Sequence, residues 1–384
     1  MGYPSSERDN TLAGIYVHIP YCRQACHYCN FHFSTNLKTV DPLVTALTKE
    51  IRHHSYELGQ NQISTIYFGG GTPSLLDISQ LGRIFEAIHA SYYIASQLEV
   101  TLEANPEDIN PDILRAWSEI GINRLSVGIQ SFLDQDLVSM NRIHTAEQSI
   151  SALDLIKEGP INNVTADLMF GLVDSTLEDW THNLQKIVSF ELPHLSIYNL
   201  TIEEQTVYAH QLKKRNLNVP REELQEQQYL LAEQILTEHG YDHYEISNYA
   251  KPGHRALHNT AYWDRAPYAG YGPSAHSFFN ASRTWNPSNN ARYISMIEEG
   301  TLERTSERLQ IQDIYNEYIM LGLRRSKGVD ESQIRSLGEE IWHKHLDNIA
   351  PLIANHALVR MNERLVLPKD KWYMSDHLAS ELFM

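Results

Sequence analysis

Cysteine is scarce in this chain. Its 384 residues include only 3, all between Cys22 and Cys29. That excludes the disulfide framework of a small secreted domain, which needs an even number spread along the chain. No apolar run approaches the roughly 18 residues that mark a membrane helix. The first ten residues are polar and lack the apolar segment of a secretory signal, so a cytoplasmic location is expected. Basic residues are in deficit: 31 Lys and Arg stand against 48 Asp and Glu, a formal net charge of −17. An acidic surface repels phosphate backbones, so nucleic acid is not expected as a partner. Short repeats and low-complexity tracts are missing too. A hydrophobic share of 42% excludes a wholly disordered chain. The length suits two domains, or one large α/β domain with an appendage.

Short β-rich stretches alternate with helical patterns. Strands are expected at Gly14–Ile19, Ser64–Phe68, Leu98–Leu102, Arg124–Gly128, Val164–Met169 and His194–Leu200. Their starts lie about 25–50 residues apart, room for a crossover helix between parallel strands. The intervening helices are punctuated. Asp41–Pro42 and Asn110–Pro111 open two of them, Thr176 caps a third, and Gly59, Gly121 and Gly240 are stops. The fold class predicted is α/β, with a parallel sheet or barrel. After about Asn290 the texture turns helical (Ile311–Leu323, Glu331–Leu337, Ile341–Ile353). A hairpin follows, Ala357–Arg360 and Arg364–Leu367. The division expected is a principal domain over 1–290 and a small, mostly helical, winged-helix-like domain over 291–384. Arg283–Asn290 is read as the linker.

The cysteines are spaced C-x3-C-x2-C and begin just after the first strand. They therefore sit on a loop at a strand's C-terminal end, the edge where α/β barrels build their sites. A four-iron cubane normally takes four thiolates, so three leave one iron open. Two other readings remain: a zinc site of three Cys completed by His18, His27 or His32, and unliganded thiols. Closed zinc sites usually pair C-x2-C units.

Four motifs carry a resemblance. Y-V-H-I-P-Y-C runs from Tyr16 to Cys22, Tyr28 precedes the third Cys, G-G-G-T-P-S covers Gly69–Ser74, and G-I-Q-S-F covers Gly128–Phe132. In this order, between Tyr16 and about Trp263, the chain resembles the radical S-adenosylmethionine (SAM) superfamily, and within it the oxygen-independent coproporphyrinogen III oxidase group. The resemblance implies a partial (β/α)6 TIM-like barrel with an extra C-terminal domain. It implies a 4Fe–4S cluster on Cys22, Cys26 and Cys29, whose open iron takes the amino and carboxylate groups of SAM. It also implies SAM contacts at Tyr16, Gly70, Gly71, Thr72, Glu103, Gln130, Arg142 and Asp167. Physically, glycines let a backbone approach a ligand closely, and a carboxylate at Glu103 can accept from a ribose or an ammonium. Taken singly, the glycines could equally be a tight turn and the charged groups ordinary surface residues.

The chain departs from the oxidase in two ways. Asn30 and Phe31 follow Cys29, and Phe31 stands where the oxidase has a further cysteine. The cluster motif also begins only 22 residues in. Both departures, with H-N-x-x-Y-W at His258–Trp263, resemble a haem-chaperone branch of the family. That branch implies haem as a third ligand and His258 as a candidate axial ligand, its neighbouring rings covering the porphyrin. The bland alternative is a hydrogen-bonded histidine beside core aromatics. The implied partner is a haem-accepting protein, expected at a membrane, and a homodimer is a further expectation. Tyr268–Pro273 reads as a Gly-hinged loop near the same site. Lys213, Lys214 and Arg215 form either a solvated face or a contact for haem propionates. Two rival functions stand beside the chaperone: a radical SAM decarboxylase of coproporphyrinogen III, and a structural zinc protein that binds a partner.

Overall fold

The computed structural model describes residues 12–214 and 217–384. The polar N-terminal stretch and Arg215 of the basic run lie outside the described residues. Six strands run parallel, each beside the next in sequence: β1 (Leu12–Ile19), β2 (Gln62–Gly70), β3 (Ile94–Ala104), β4 (Arg124–Gln130), β5 (Asn163–Phe170) and β6 (His194–Asn199). Helices Val40–His54, Ile78–Ser91, Pro111–Glu119, Ala146–Glu158 and Leu177–Val188 make the crossovers. Side-chain caps start four of these helices where their orphan N–H groups need partners. Asp77, Thr145 and Thr176 form capping boxes with Gln80, Gln148 and Asp179. Asn110 accepts from the N–H groups of Asp112 and Ile113, with Pro111 at the first position. The first helix starts at Val40 instead of behind an Asp41 cap. Pro42 still falls in its first turn, where a missing N–H costs nothing.

The strands alternate between two faces. Ile15, Val17 and Ile19 of β1, Ile66 and Phe68 of β2, and Leu125, Val127 and Ile129 of β4 are buried. They pack against the helix layer in one continuous core. The opposite face carries Tyr16, Tyr67, Glu103, Gly128 and Asp167, which look into the half-barrel.

Among the described residues the barrel does not close on itself. Beyond β6 the sheet continues antiparallel through β8 (Asn248–Ala250) to β7 (Asp242–Glu245). Beyond β1 it continues through the parallel β9 (Tyr268–Tyr271). Three antiparallel strands follow, β10 (His276–Phe279), β11 (Ser282–Trp285) and β12 (Thr305–Arg308). Among the described residues the sheet thus has 12 strands. The expected linker at Arg283–Asn290 is therefore corrected in part. Its first half is β11, hydrogen-bonded on both sides, and its Pro, Ser and Asn residues only end that strand.

Glu50 explains why the next segment also stays on the barrel. Its buried carboxylate accepts from the Gly272 N–H (2.9 Å), Asn286 Nδ2 (2.7 Å), the Tyr293 hydroxyl (2.5 Å) and Arg304 Nη2 (2.7 Å). One helical residue so gathers four partners from residues 272–304. On these contacts we place the start of the C-terminal unit after Arg308 rather than at 291. That unit packs helices Ile311–Leu323, Glu331–Ser336 and Glu339–Ala354 beside a small sheet of β13 (Val329–Asp330), β15 (Arg364–Val366) and β14 (Val359–Met361). The hairpin turns at Asn362 and Glu363, both at positive φ, as a two-residue turn between twisted strands requires.

Candidate cofactor site

The C-terminal ends of the parallel strands surround a cavity of about 450 Å³. The loop after β1 folds over its mouth, held where Ser34 N–H donates to Pro20 O (2.8 Å) and Cys22 N–H to Ser34 O (3.1 Å). Cys22, Cys26 and Cys29 are free, half-buried and all line the cavity. Burial, joined by the charges of Cys29 and Cys26, pushes the Cys22 thiol up to about 11 against a hydrogen bond from Thr72. Three thiolates gathered this way need cationic compensation, which metal ligation provides. Arg142 Nη1 lies 3.6 Å from Cys26 Sγ and adds a fixed positive charge. This donor set fits an iron–sulfur cluster, in which each thiolate takes a different iron. It does not fit a closed zinc site. His18 is bonded to the Tyr16 hydroxyl and to His32 O, His27 to Ser139 O, and His32 to Asn290 Oδ1. Among the described residues no three His, Cys, Asp or Glu side chains converge on one metal position.

The glycine run lies alongside this loop. Gly71 N–H donates to Ile19 O (2.9 Å) and Thr72 N–H to Tyr21 O (2.7 Å). A Cβ on Gly70 would stand 2.4 Å from the His18 ring, at a φ of +110°. One on Gly71 would stand 2.6 Å from Tyr21 O. The glycines therefore let the end of β2 press against the end of β1. Their absent side chains would point at the protein, while the backbone of Gly70 and Gly71 still borders the cavity.

The polar walls come from successive strands. Glu103 accepts from the Tyr67 hydroxyl (2.7 Å) and the Gly70 N–H (3.1 Å). Burial, and secondarily the charge of Asp167, push it up to about 7 against those hydrogen bonds. Asp167 accepts from Ser126 Oγ (3.1 Å), and burial pushes it up to about 6. Arg142 donates to Asn105 Oδ1 (2.7 Å) and Gly128 O (2.9 Å). Gln130 ends β4 with a φ of 67°, a left-handed conformation rare outside Gly, Asn and Asp. Here it turns the chain at the cavity wall.

The two raised carboxyls predict a pH dependence of the metal-free protein. An acid whose pKa is raised on folding binds more protons folded than unfolded between its two values, so stability falls as pH rises there. For Glu103 the window runs from its ordinary 4.5 up to about 7. Chemical denaturation of Glu103→Gln should show a flatter decline across that window than the parent. An unchanged slope would contradict the assignment.

Of the residues expected from the sequence, Cys22, Cys26, Cys29, Phe31, Gly70, Gly71, Thr72, Glu103, Gln130, Arg142 and Asp167 all border this one cavity. Phe31 is a rim residue, 67% exposed. Tyr16 is not at the surface of the cavity. It sits one layer deeper, stacked on Tyr67 with ring centroids 6.1 Å apart. Tyr67, Asn105 and Tyr198 line the cavity but were not singled out from the sequence. The signal for Tyr67 was its alternation with Thr65 and Gly69 on one face of β2.

His258 lies elsewhere. It is 2% exposed, in helix Leu257–Trp263, on the far side of Tyr67 from the cavity. One ring nitrogen meets Thr65 Oγ1 (2.7 Å) and the other the Tyr262 hydroxyl (2.9 Å). Burial pushes its pKa down to about 3. Glu99 accepts from the N–H groups of Leu257 and His258 and so caps this helix against the barrel. Both ring nitrogens are thus engaged in this structure, and His258 as an axial haem ligand stands as a proposal that requires the ring to leave these partners. The spacing of His258 and Tyr262, one helical turn, explains their bond.

Residues 16–187 match the family model of the radical SAM superfamily. The haem chaperone HemW of Bacillus subtilis is 33% identical over 362 residues, spanning 92% of this chain and 94% of that protein. HemW of Synechocystis is 35% identical, over 84% of this chain and 81% of its own length. The mouse mitochondrial radical S-adenosyl methionine domain-containing protein 1 is 33% identical, over 85% and 76%. Among solved structures, coproporphyrinogen III oxidase (HemN) from Escherichia coli superposes with a TM-score of 0.84 over 97% of this chain and 90% of that one. At 21% identity the likeness is one of fold.

Proposed function

The chain belongs to the radical SAM superfamily and, within it, to the HemW group, and we propose on that footing that it binds haem and passes it to an acceptor protein, holding a 4Fe–4S cluster and SAM in its barrel. The observation that carries the cofactor reading is the meeting of three thiols, the Arg142 guanidinium and the Glu103 and Asp167 carboxyls around one cavity. Its size falls in the range of about 300–1,000 Å³ usual for small-molecule sites. In this reading Cys22, Cys26 and Cys29 hold the cluster, which when bound offers an open iron and one-electron chemistry. Arg142 balances the negative charge beside Cys26. Glu103 and Asp167 accept hydrogen bonds from the ammonium and hydroxyl groups of SAM. Tyr67 and the Gly70 N–H keep Glu103 aimed. The haem reading rests on the named relatives, which are haem chaperones.

Anaerobic reconstitution with iron, sulfide and added haem tests this. A brown protein with iron and sulfide near one cubane per chain is expected, together with a Soret band that persists through gel filtration. With SAM, a reductant and coproporphyrinogen III, no protoporphyrinogen should form above a no-protein blank. A protein that retains no haem, or that forms protoporphyrinogen over many turnovers, overturns the chaperone reading.

A further inference from the structure

A row of polar side chains crosses the sheet from the cavity to its far edge. Strand register builds most of it: Asp167 on β5 stands opposite Ser196 on β6, Ser196 opposite Asn248 on β8, and Asn248 opposite Glu245 on β7. Ser126 on β4 completes the cavity end by donating to Asp167. Ser196, Asn248 and Glu245 are 2%, 4% and 0% exposed. Ser196 Oγ donates to Asn248 Oδ1 at 2.7 Å, and Asn248 Nδ2 donates to Glu245. The Ser247 N–H reaches the other carboxylate oxygen at 3.2 Å.

Glu245 is an expensive residue to bury. Among the described residues its carboxylate accepts only those two hydrogen bonds, and such a group costs stability unless it is fully paired. Its effect on the row is specific. A carboxylate only accepts, so Asn248 must turn its NH₂ toward Glu245 and its carbonyl toward Ser196. A hydroxyl has one proton, and Ser196 must then give it to Asn248. That proton is directed away from Asp167, which stands opposite Ser196 on the neighbouring strand. Asp167 is left with the Ser126 hydroxyl and with acceptor positions open to the cavity.

We propose that Glu245 is a positioning residue for the cavity: it sets the direction of hydrogen bonding along Asn248 and Ser196 so that Asp167 keeps free acceptor positions for the hydroxyl groups of a bound nucleoside. The proposal rests on the reading of the cavity as a SAM site. A glutamine at 245 can present its own NH₂ to Asn248. Asn248 then turns its NH₂ to Ser196, and Ser196 gives its proton to Asp167, filling the position a ligand hydroxyl would use.

The test is SAM binding by equilibrium dialysis to the cluster-reconstituted full chain, at pH 8, above the value of about 7 to which burial pushes Glu245. Glu245→Gln should weaken SAM binding roughly five- to tenfold, the range of one misdirected hydrogen bond. Ser196→Ala should stay within about twofold of the parent, and in that background Glu245→Gln should have no further effect, since the row is cut. If Glu245→Gln does not fold, Asn248→Leu frees Ser196 in the same way. Its loss of affinity should likewise vanish with Ser196→Ala. An unchanged Kd in Glu245→Gln, or equal losses with and without Ser196, overturns the positioning role alone. A reconstituted parent that binds no SAM takes down the reading of the cavity and this role with it.

Discussion

Cys26→Ala should lose most of its bound iron and sulfide after anaerobic reconstitution, and SAM retention should fall with it. The chain has no other cysteine outside Cys22 and Cys29 to substitute. Two protein thiolates leave a cubane with two open irons, exposed to solvent at the mouth of the cavity. Arg142 makes the effect larger at this position than at Cys22. Its Nη1 faces Cys26 Sγ, so the charge that favours a thiolate here is wasted in the mutant, while Asn105 Oδ1 and Gly128 O still hold the guanidinium in the metal-free protein. The thiols are only half-buried, so the metal-free mutant should melt close to the metal-free parent. Iron and sulfide counting checks the first outcome and thermal denaturation the second. A full complement of both elements in Cys26→Ala would remove the cysteines as the cluster ligands.

Gly70→Val should lose SAM binding through the fold rather than through a clash with ligand. A β-branched residue at a φ of +110° is strained, at a cost of about 1–3 kcal/mol. Its Cβ would meet the His18 ring at 2.4 Å, and overpacking of this kind costs about 1–3 kcal/mol more. His18 is bonded to Tyr16 and to His32 O, so it cannot swing aside without disturbing the cysteine loop. The summed cost, about 2–6 kcal/mol, is a large part of the 5–15 kcal/mol of a typical domain. The mutant should therefore show a lower urea midpoint even without metal, together with weak cluster uptake. Parental stability and cluster content with SAM binding lost would instead point the position at the ligand.

His258 shows why a motif can be legible and its role not. H-N-x-x-Y-W can be read directly, and a histidine between aromatics is a reasonable metal ligand. Its actual partner, Thr65, lies 193 positions earlier in the chain, and that contact forms only when helix Leu257–Trp263 docks against β1 and β2. The glycine run is a second case. The need for glycine could be read from Gly69–Gly71, but which side the missing Cβ would face depends on the packing of β2 against β1.

The sequence by itself determined the features that depend on neighbours along the chain. The spacing of Cys22, Cys26 and Cys29 after a strand marked the metal loop. Alternating strand and helix patterns, with caps at Asn110 and Thr176, marked an α/β chain with a parallel sheet or barrel. Glu103, Gln130 and Asp167 declared themselves at or near strand ends. Only the tertiary structure decided what depends on residues brought together from far apart: the short flanking strands β7 to β12, the clamp of Glu50 on residues 272–304, the burial of His258, and the row from Asp167 to Glu245. Flanking strands of three or four residues carry too little periodicity to be distinguished from loops, as Ser282–Trp285 shows. Only Glu245 and Asn248 of the row lie close in sequence, three residues apart; the other members come from separate strands, and only the register of the sheet sets them side by side.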